Sequence, residues 1–176
     1  MKLRIFRFKK VKSTNNTALR IIKKSDVKYG MIISEIQTNG RGQYGKKWIS
    51  YRGNLFTSFF FNLENFAITL KQFTKLNYLL VKNLLSTYYK GKITFKQPND
   101  LLIDKKKICG ILHETFIKFN RKYLIVGIGI NLIKNPQIKD YPTNKLSNLT
   151  NKKLSKSKIE KEIKKIFEIK LSKFCK

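Results

Sequence analysis

A glycine-rich segment is the first stretch of this sequence whose residue types and spacing could do chemistry. Residues 39–48 read NGRGQYGKKW and end at Trp48, whose flat face could stack on a nucleobase. Glycines let the backbone turn sharply and present its N–H groups, while Arg41, Lys46 and Lys47 attract phosphates. We therefore predict a mobile anion-binding loop, with a plain surface turn as the alternative. A dinucleotide-binding fingerprint is disfavoured, because β-rich residues follow where that motif requires a helix.

A second candidate lies in the segment FKQPNDLLID, residues 95–104. Pro98 cannot continue a hydrogen-bonded ladder, so Lys96 lies at a strand end, where side chains commonly enter a site. A lysine there can stabilise an anionic transition state as a point charge, and Asn99 follows it in the turn. The alternative is an ordinary exposed lysine, since the chain contains 33 of them.

Glycines also mark a predicted strand, YLIVGIGINL at residues 123–132. Gly127 and Gly129 lie on one face, and two missing side chains in mid-strand indicate close approach by a ligand or by another backbone. Asn131 places an amide at the end of that groove, and Gly110 in KICGIL repeats the feature on the preceding strand. We predict that a ligand approaches here, with tight backbone packing as the alternative.

The net charge is extreme, with 39 lysine and arginine residues against 10 aspartate and glutamate residues, a formal +29. A charge of this size suggests nucleic acid as a partner. However, 33 of the basic residues are lysines, and lysine, isoleucine and asparagine all have A/T-rich codons. Nucleic-acid recognition also favours arginine, which is scarce here. We attribute most of the charge to genome composition and keep a polyanionic partner as the second explanation.

The scarce residue types disfavour several kinds of site. The two cysteines, Cys109 and Cys175, form no CxxC motif and indicate neither a disulfide framework nor a zinc site. His113 is the only histidine, so no catalytic triad is expected. The N-terminal segment lacks the apolar stretch of a signal peptide, and no apolar run approaches the roughly 20 residues of a membrane span. We expect a soluble cytoplasmic protein.

The elements that must position these candidates follow from the hydrophobic periodicity. Alternating and continuous apolar runs predict strands over residues 3–8, 31–37, 54–63, 93–97, 101–103, 108–119 and 123–132. Helical spacing predicts helices over residues 16–24 and 69–89, and a last helix that begins at the capping-box pattern SKIE, residues 157–160. This order predicts an α/β (α+β) fold with a mixed, largely antiparallel sheet flanked by helices, in one domain over residues 1–176.

Taken together, five segments resemble the catalytic domain of biotin–protein ligase, also called biotin–acetyl-CoA-carboxylase ligase. They occur in the family's order: KSTN at 12–15, QTNGRGQYGKKW at 37–48, KQPNDLL at 96–102, KICGIL at 107–112 and GIGINL at 127–132. The resemblance implies a fold related to class II aminoacyl-tRNA synthetases and lipoate ligases. We expect the catalytic domain alone, without an N-terminal helix-turn-helix domain or a C-terminal β-barrel domain.

The resemblance also implies two half-reactions at one site. Biotin would be activated by ATP to biotinyl-5′-AMP, with Mg²⁺ held mainly through the ATP phosphates rather than by protein side chains. Biotin would then pass to a lysine of the biotin carrier domain of acetyl-CoA carboxylase or a related carboxylase. Specific DNA binding is not implied, and a monomer or weak homodimer is expected. A lipoate or octanoate ligase and a non-catalytic nucleic-acid- or adenylate-binding protein remain alternatives.

The roles that the resemblance implies fall on residues that match the family's motifs. Lys96 and Arg41 would be the catalytic residues. Biotin would be bound by Ser13, Thr14, Asn15, Gln37, Arg41, Gly42, Gln43, Lys96 and Gly110, and ATP or the adenylate by Gly40, Arg41, Gly42, Gly45, Lys46, Trp48, Asn99 and Asn131. Four positions depart from the family's pattern. Gln43, Tyr44 and Lys46 replace three arginines, of which the one at position 43 helps retain the adenylate, and Gln97 replaces a tryptophan.

Overall fold

The computed structural model describes all residues, 1–176, as strands and helices joined mostly by short connections. The strands are β1 (Arg4–Phe8), β2 (Tyr29–Ser34), β3 (Gly40–Arg41), β4 (Lys47–Trp48), β5 (Leu55–Asn62), β6 (Ile93–Lys96), β7 (Asp100–Ile103), β8 (Lys106–Lys118) and β9 (Arg121–Ile130). The helices are α1 (Thr14–Lys24), α2 (Leu70–Ser86) and α3 (Lys156–Ser172). Single 3-10 turns cover Gln43–Gly45, Leu63–Asn65 and Leu146–Asn148.

Seven of the strands form one sheet in the order β1-β2-β5-β9-β8-β7-β6. Only the β1–β2 pair is parallel, and every other neighbouring pair is antiparallel. The remaining two strands, β3 and β4, pair with each other as a separate antiparallel hairpin. The predicted mixed, largely antiparallel sheet is therefore confirmed. The consecutive strands β6 to β9 are antiparallel to their neighbours, as their short connections predict.

The sheet lies between helices on its two faces. On one face, α2 and α3 cover the larger core, where the ring of Phe59 from β5 stacks on Phe167 of α3 with centroids 4.1 Å apart. On the other face, Ala18 and Ile22 of α1 pack against Ile32 and Phe60. Because both faces of the central strand β5 are covered, all of its residues are buried. The α1 face also carries the cleft described below.

The predicted elements are present, with their ends shifted by up to three residues. The strand predicted over 31–37 ends at Ser34, and the last three residues lead into the β3–β4 hairpin instead. The glycine segment contains that hairpin rather than an irregular loop. The expected cap of α3 at SKIE was wrong, because the side chain of Ser155 accepts the Lys158 N–H and begins the helix two residues earlier. None of the helices combines the length and the apolar character that crossing a membrane requires.

Candidate active site

A cleft of about 820 Å³ opens on the α1 face of the sheet. It is bordered by the start of α1, the β3–β4 hairpin, the β6–β7 turn, β8, β9 and the segment 138–141. Most of the residues predicted from the sequence line it together: Ser13, Thr14, Asn15, Gln37, Arg41, Gly42, Gln43, Lys46, Trp48, Lys96, Asn99 and Gly110. The tertiary structure therefore brings four separate segments of the chain to one place.

Three predicted site residues lie outside the lining of this cleft. Gly40 lets the hairpin close, since a Cβ there would lie 2.5 Å from the Trp48 carbonyl oxygen. Gly45 borders a smaller hollow of about 380 Å³ under the hairpin and has a left-handed φ of 73°. Asn131 is buried, and its Nδ2 donates to the Asn144 carbonyl oxygen at 3.1 Å. These three residues support the cleft walls in this structure rather than facing its interior.

One end of the cleft is a network of neutral polar groups at the start of α1. The Oε1 of Gln37 accepts both the backbone N–H of Thr14 at 2.8 Å and its hydroxyl at 3.0 Å. The Ser58 hydroxyl lies 2.7 Å from the Thr14 Oγ1 and contacts the Asn15 Oδ1 as well. The Asn15 Nδ2 donates to Glu114 at 2.7 Å. Hydrogen-bonded neighbours hold these groups in fixed orientations, which suits recognition of a neutral, polar ligand group.

The glycines of β8 and β9 make room for two side chains of this protein. A Cβ at Gly129 would lie 2.5 Å from the Trp48 indole, and one at Gly110 would lie 2.6 Å from it. A Cβ at Gly127 would lie 2.3 Å from the Asn15 Oδ1. The close approach predicted at these glycines is present, but it is made by Trp48 and Asn15, which form the surface that a ligand would meet.

The β3–β4 hairpin is tied down to the sheet by an ion pair. The Arg41 Nη2 lies 2.5 and 2.6 Å from the two carboxylate oxygens of Glu114 on β8. Within the hairpin, the Gly42 N–H donates to the Lys46 carbonyl oxygen at 2.6 Å. Tyr44 at the tip has a φ of 52° and is 87% exposed. The hairpin therefore covers one side of the cleft while its tip remains in solvent.

The other end of the cleft holds a buried carboxylate between basic groups. The Lys107 Nζ lies 2.8 Å from the Asp100 Oδ1, and these side chains are only 18% and 9% exposed. The Tyr141 hydroxyl donates to the Asp100 Oδ2 at 2.5 Å. The Lys96 Nζ lies 4.4 Å above the Tyr141 ring centroid, and the Lys107 Nζ lies 5.1 Å above that of Trp48.

Basic side chains predominate around the cleft. Six of them line it against two carboxylates: Arg41, Lys46, Lys47, Lys96, Lys107 and Lys139 against Asp100 and Asp140. A cavity with this charge balance attracts an anion such as a polyphosphate, because low-dielectric walls strengthen the attraction of the positive charges. No group of three or more histidine, cysteine, aspartate or glutamate side chains is placed to hold a metal ion.

Sequence reasoning missed four side chains of the site: Asp100, Lys107, Glu114 and Tyr141. Lys107 begins the KICGIL motif and Asp100 ends the motif segment KQPND, so the positions of both were visible in the sequence. Among 33 lysines, nothing distinguished Lys107 by type. Glu114 and Tyr141 lie outside the five motifs, and only their contacts across the fold identify them.

His113 and Cys109 lie on β8 but belong to the core side of the sheet. The His113 Nε2 lies 3.2 Å from the Asn77 Nδ2, and its ring packs edge-on against Tyr78 of α2. Burial lowers the pKa of His113 to about 4, so the ring is neutral near pH 7. Burial also raises the pKa of the Cys109 thiol far above its ordinary value, which leaves it unreactive.

The sequence model of the biotin/lipoate A/B protein ligase family matches residues 7–131. The chain belongs to this family. The resemblance to biotin–protein ligases carried by the five segments is thereby confirmed at the level of the family, and the matched range contains every cleft residue named above except Lys139, Asp140 and Tyr141.

Curated members of the family include two bifunctional ligase/repressors called BirA. The chain is 29% identical to the one from Bacillus subtilis over 163 residues, covering 89% of this chain and 50% of that protein. It is 32% identical to the one from Escherichia coli over 102 residues, covering 57% of this chain and 32% of that protein. The chain thus spans about one third to one half of the length of these relatives.

Solved structures of ligases share the fold. A biotin protein ligase from Aquifex aeolicus, in complex with biotin and ATP, is 30% identical with a TM-score of 0.79, covering 98% of this chain and 72% of that one. A biotin protein ligase from Leishmania major has a TM-score of 0.82 at 22% identity and covers 98% of this chain and 76% of that one. A lipoate protein ligase from Thermoplasma acidophilum has a TM-score of 0.69 at 12% identity and covers 98% of this chain and 84% of that one. The last two show the likeness of the fold alone.

Proposed function

We propose that this protein is a biotin–protein ligase, which activates biotin with ATP and transfers it to a lysine of a carrier protein. The observation that carries the proposal is the division of one cleft into two chemically different ends. A fixed neutral network at Thr14, Asn15 and Gln37 suits the ureido ring of biotin. The basic end at Lys96 and Lys107 suits a carboxylate that meets the phosphates of ATP. Trp48 lies between them on the glycine floor.

In the first half-reaction, a carboxylate oxygen of biotin attacks the α-phosphorus of ATP. A P–O bond forms, the bond to the β-phosphate breaks, and biotinyl-5′-AMP and pyrophosphate result. The ammonium groups of Lys96 and Lys107 stabilise the negative charge that the carboxylate and the phosphates bring together. Arg41 adds a third positive charge from the hairpin. Mg²⁺ would enter as the complex with ATP, held mainly by the phosphates.

Biotin lies along the floor of the cleft in this proposal. Ser13 supports its polar end by capping α1, since its hydroxyl accepts the Asn16 N–H at 3.5 Å. Gly110 leaves room for Trp48, whose indole would stack on the adenine of the adenylate beside the path of the acyl chain. Gln43 contacts the intermediate, because its Oε1 is buried without a hydrogen-bond partner and is free to accept one. Gln43 lacks the charge of an arginine, so the adenylate is held by hydrogen bonding there.

The nucleotide would lie under the β3–β4 hairpin and beside the β6–β7 turn. The backbone of Gly42 lines the cleft there, and the Lys46 side chain adds a positive charge. Asn99 lies in the turn that borders the cleft. Gly40 and Gly45 act by letting the hairpin close. Asn131 contributes through its bond to Asn144, which anchors the segment that crosses the start of β8.

In the second half-reaction, the neutral amine of a carrier lysine attacks the acyl carbon of biotinyl-5′-AMP. An amide bond forms, the bond to the AMP oxygen breaks, and the amine loses a proton. The hairpin keeps water from the mixed anhydride until the carrier arrives. We propose that the carrier is the biotin carrier domain of acetyl-CoA carboxylase or a related carboxylase, and that the reaction takes place in the cytoplasm, where ATP is available.

The deciding experiment combines the protein with labelled biotin, ATP, Mg²⁺ and a biotin carrier domain. We expect label on one carrier lysine and pyrophosphate release that depends on biotin. A carrier domain whose acceptor lysine is replaced by arginine is the matched control and should take no label. If the wild-type protein neither labels the carrier lysine nor releases pyrophosphate in response to biotin, the proposal is wrong.

A lipoate or octanoate ligase is the second candidate, because the matching family and the shared fold include lipoate ligases. The polar network around Thr14 and Gln37 favours biotin, because the ureido ring can hydrogen-bond to polar groups and a plain acyl chain cannot. Biotin and lipoate should therefore be offered in competition in one adenylation assay. Preferential activation of lipoate would assign the cleft to the second candidate.

A further inference from the structure

The carboxylate of Asp100 forms an ion pair with one side chain and accepts a hydrogen bond from another, and the two come from different parts of the chain. The Lys107 Nζ lies 2.8 Å from its Oδ1, and the Tyr141 hydroxyl lies 2.5 Å from its Oδ2. Asp100 itself is 6% exposed, so its charge is nearly removed from water. A buried carboxylate that loses its ion-pair partner or its hydrogen-bond donor is strongly destabilised, and Asp100 therefore depends on both Lys107 and Tyr141.

Tyr141 also lies against both lysines of the basic end. Its ring centroid is 4.4 Å from the Lys96 Nζ and 5.5 Å from the Lys107 Nζ, within the range of a cation–π contact. One side chain thus contacts Asp100, Lys96 and Lys107. Burial and the neighbouring Asp100 raise the pKa of the Tyr141 hydroxyl, so it remains a protonated donor at neutral pH.

The backbone next to Tyr141 is hydrogen-bonded to Lys107, whose ammonium group also lies over the Tyr141 ring. The Lys107 N–H donates to the Pro142 carbonyl oxygen at 2.9 Å, and the Asn144 N–H donates to the Lys107 carbonyl oxygen at 2.9 Å. These bonds hold the segment across the first residues of β8. Hydrogen bonds therefore fix the position of the backbone next to the Tyr141 phenol.

We infer that Tyr141 is a positioning residue that allows Lys107 to turn from Asp100 to an anionic substrate. The inference rests on the proposed function. When Lys107 moves toward a phosphate, Asp100 loses part of its contact and would be left as a buried, poorly paired charge. The Tyr141 hydroxyl keeps one donor on the carboxylate throughout, which lowers the free-energy cost of the exchange. An uncharged ligand does not draw Lys107 away and does not need this donor.

The test compares ATP with adenosine as ligands of the wild-type protein and of Tyr141→Phe, by calorimetry. Phenylalanine keeps the ring against the lysines and removes the hydroxyl alone. We expect ATP affinity to fall about tenfold and adenosine affinity to change less than about twofold, from the typical cost of leaving a buried acceptor unpaired. If Tyr141 had a purely structural role, the affinities for ATP and for adenosine would fall equally. That outcome, or no change in either affinity, overturns the inference.

Tyr88→Phe is the matched control, because its hydroxyl also donates to a carboxylate, that of Glu162 at 2.5 Å, outside the cleft. It should leave the ratio of ATP to adenosine affinity unchanged. In a second background, Asp100→Asn, the buried charge is gone, so adding Tyr141→Phe should not weaken ATP binding further. Wild-type protein that binds ATP while Tyr141→Phe behaves identically defeats this inference alone, whereas wild-type protein that neither binds ATP nor releases pyrophosphate defeats the proposed function.

Discussion

Arg41 and Glu114 connect the β3–β4 hairpin to the middle of the sheet. The guanidinium Nη2 lies within 2.6 Å of both carboxylate oxygens, although the residues are 73 positions apart in the sequence. The same carboxylate accepts the Asn15 Nδ2 at 2.7 Å. Glu114 therefore links the hairpin that would cover the adenylate with the polar network that would bind the ureido ring of biotin.

Replacing Glu114 by glutamine should loosen the hairpin. Both side chains of the ion pair are about one third exposed, so its loss should lower the free energy of unfolding by only about 0.2–1 kcal/mol. The local effect should be larger, because the ion pair joins β3 of the hairpin directly to β8. We expect faster tryptic cleavage after Arg41, Lys46 or Lys47, measured by mass spectrometry, with a melting temperature close to that of the wild type. Unchanged cleavage at these sites would show that the ion pair does not hold the hairpin.

Replacing Lys107 by alanine should reduce biotin-dependent pyrophosphate release about 100-fold, the usual order for losing one preorganised charge stabiliser. Lys96→Ala should reduce it at least about tenfold, or roughly 1.4 kcal/mol of transition-state stabilisation. We expect the larger loss at Lys107, because its side chain is mostly buried in the cleft whereas Lys96 is exposed.

Lys106→Ala is the control for both lysine variants, because Lys106 is exposed and adjacent to Lys107. Its turnover should match that of the wild type. An equal loss in Lys106→Ala would mean that the overall charge matters rather than the position, and unchanged turnover in Lys107→Ala would remove that residue from the reaction.

Replacing Gly129 by alanine should displace Trp48. The new Cβ would lie 2.5 Å from the indole, which must move out of the cleft floor. We expect a loss of about 1–3 kcal/mol in the free energy of unfolding, typical of overpacking, together with weaker biotin binding. Tryptophan fluorescence should report the move, since Trp48 is the only tryptophan.

Gly91→Ala provides the comparison for this substitution. Gly91 is exposed, and a Cβ there would meet only the far end of the Tyr89 side chain, which can shift. This variant should keep the wild-type fluorescence and biotin affinity. Wild-type fluorescence in Gly129→Ala would contradict the placement of Trp48 on the glycine floor.

His113 should make the protein less stable in mild acid. Burial lowers the pKa of His113 to about 4 in the folded protein, against an ordinary value near 6.5 in the unfolded chain. The unfolded state therefore binds the proton more tightly, and stability is lost as the pH falls from about 6.5 toward 4. Between pH 7 and pH 5 the loss should approach about 2 kcal/mol.

Urea unfolding at the two pH values measures this effect, with His113→Gln as the comparison. Glutamine does not titrate, so the loss between pH 7 and pH 5 should be smaller in that variant by about the same amount. An equal pH dependence in both proteins would assign the effect to other groups.

Much of the fold was predictable because local patterns agreed with the global arrangement. Apolar alternation located the strands of the main sheet, and helical spacing located the helices. In the structure, Thr69 and Gln72 form a reciprocal capping box at the start of α2. The start of α3 was the exception. Glu160 of the SKIE pattern is buried and pairs with Arg7 at 2.6 Å, so a tertiary contact uses the side chain that the pattern assigned to the cap.

The sequence by itself determined the family, the order of the elements and most of the cleft lining, because the five motifs carry distinctive residue types at fixed spacing. Only the tertiary structure decided which charged side chains meet there. Asp100 and Tyr141 are 41 residues apart, and Arg41 and Glu114 are 73 apart, so no local periodicity connects them. Lys107 is one lysine among 33, and its burial beside Asp100 is what separates it from the rest. Charge and type are properties of a residue, whereas burial and partners are properties of its place in the fold.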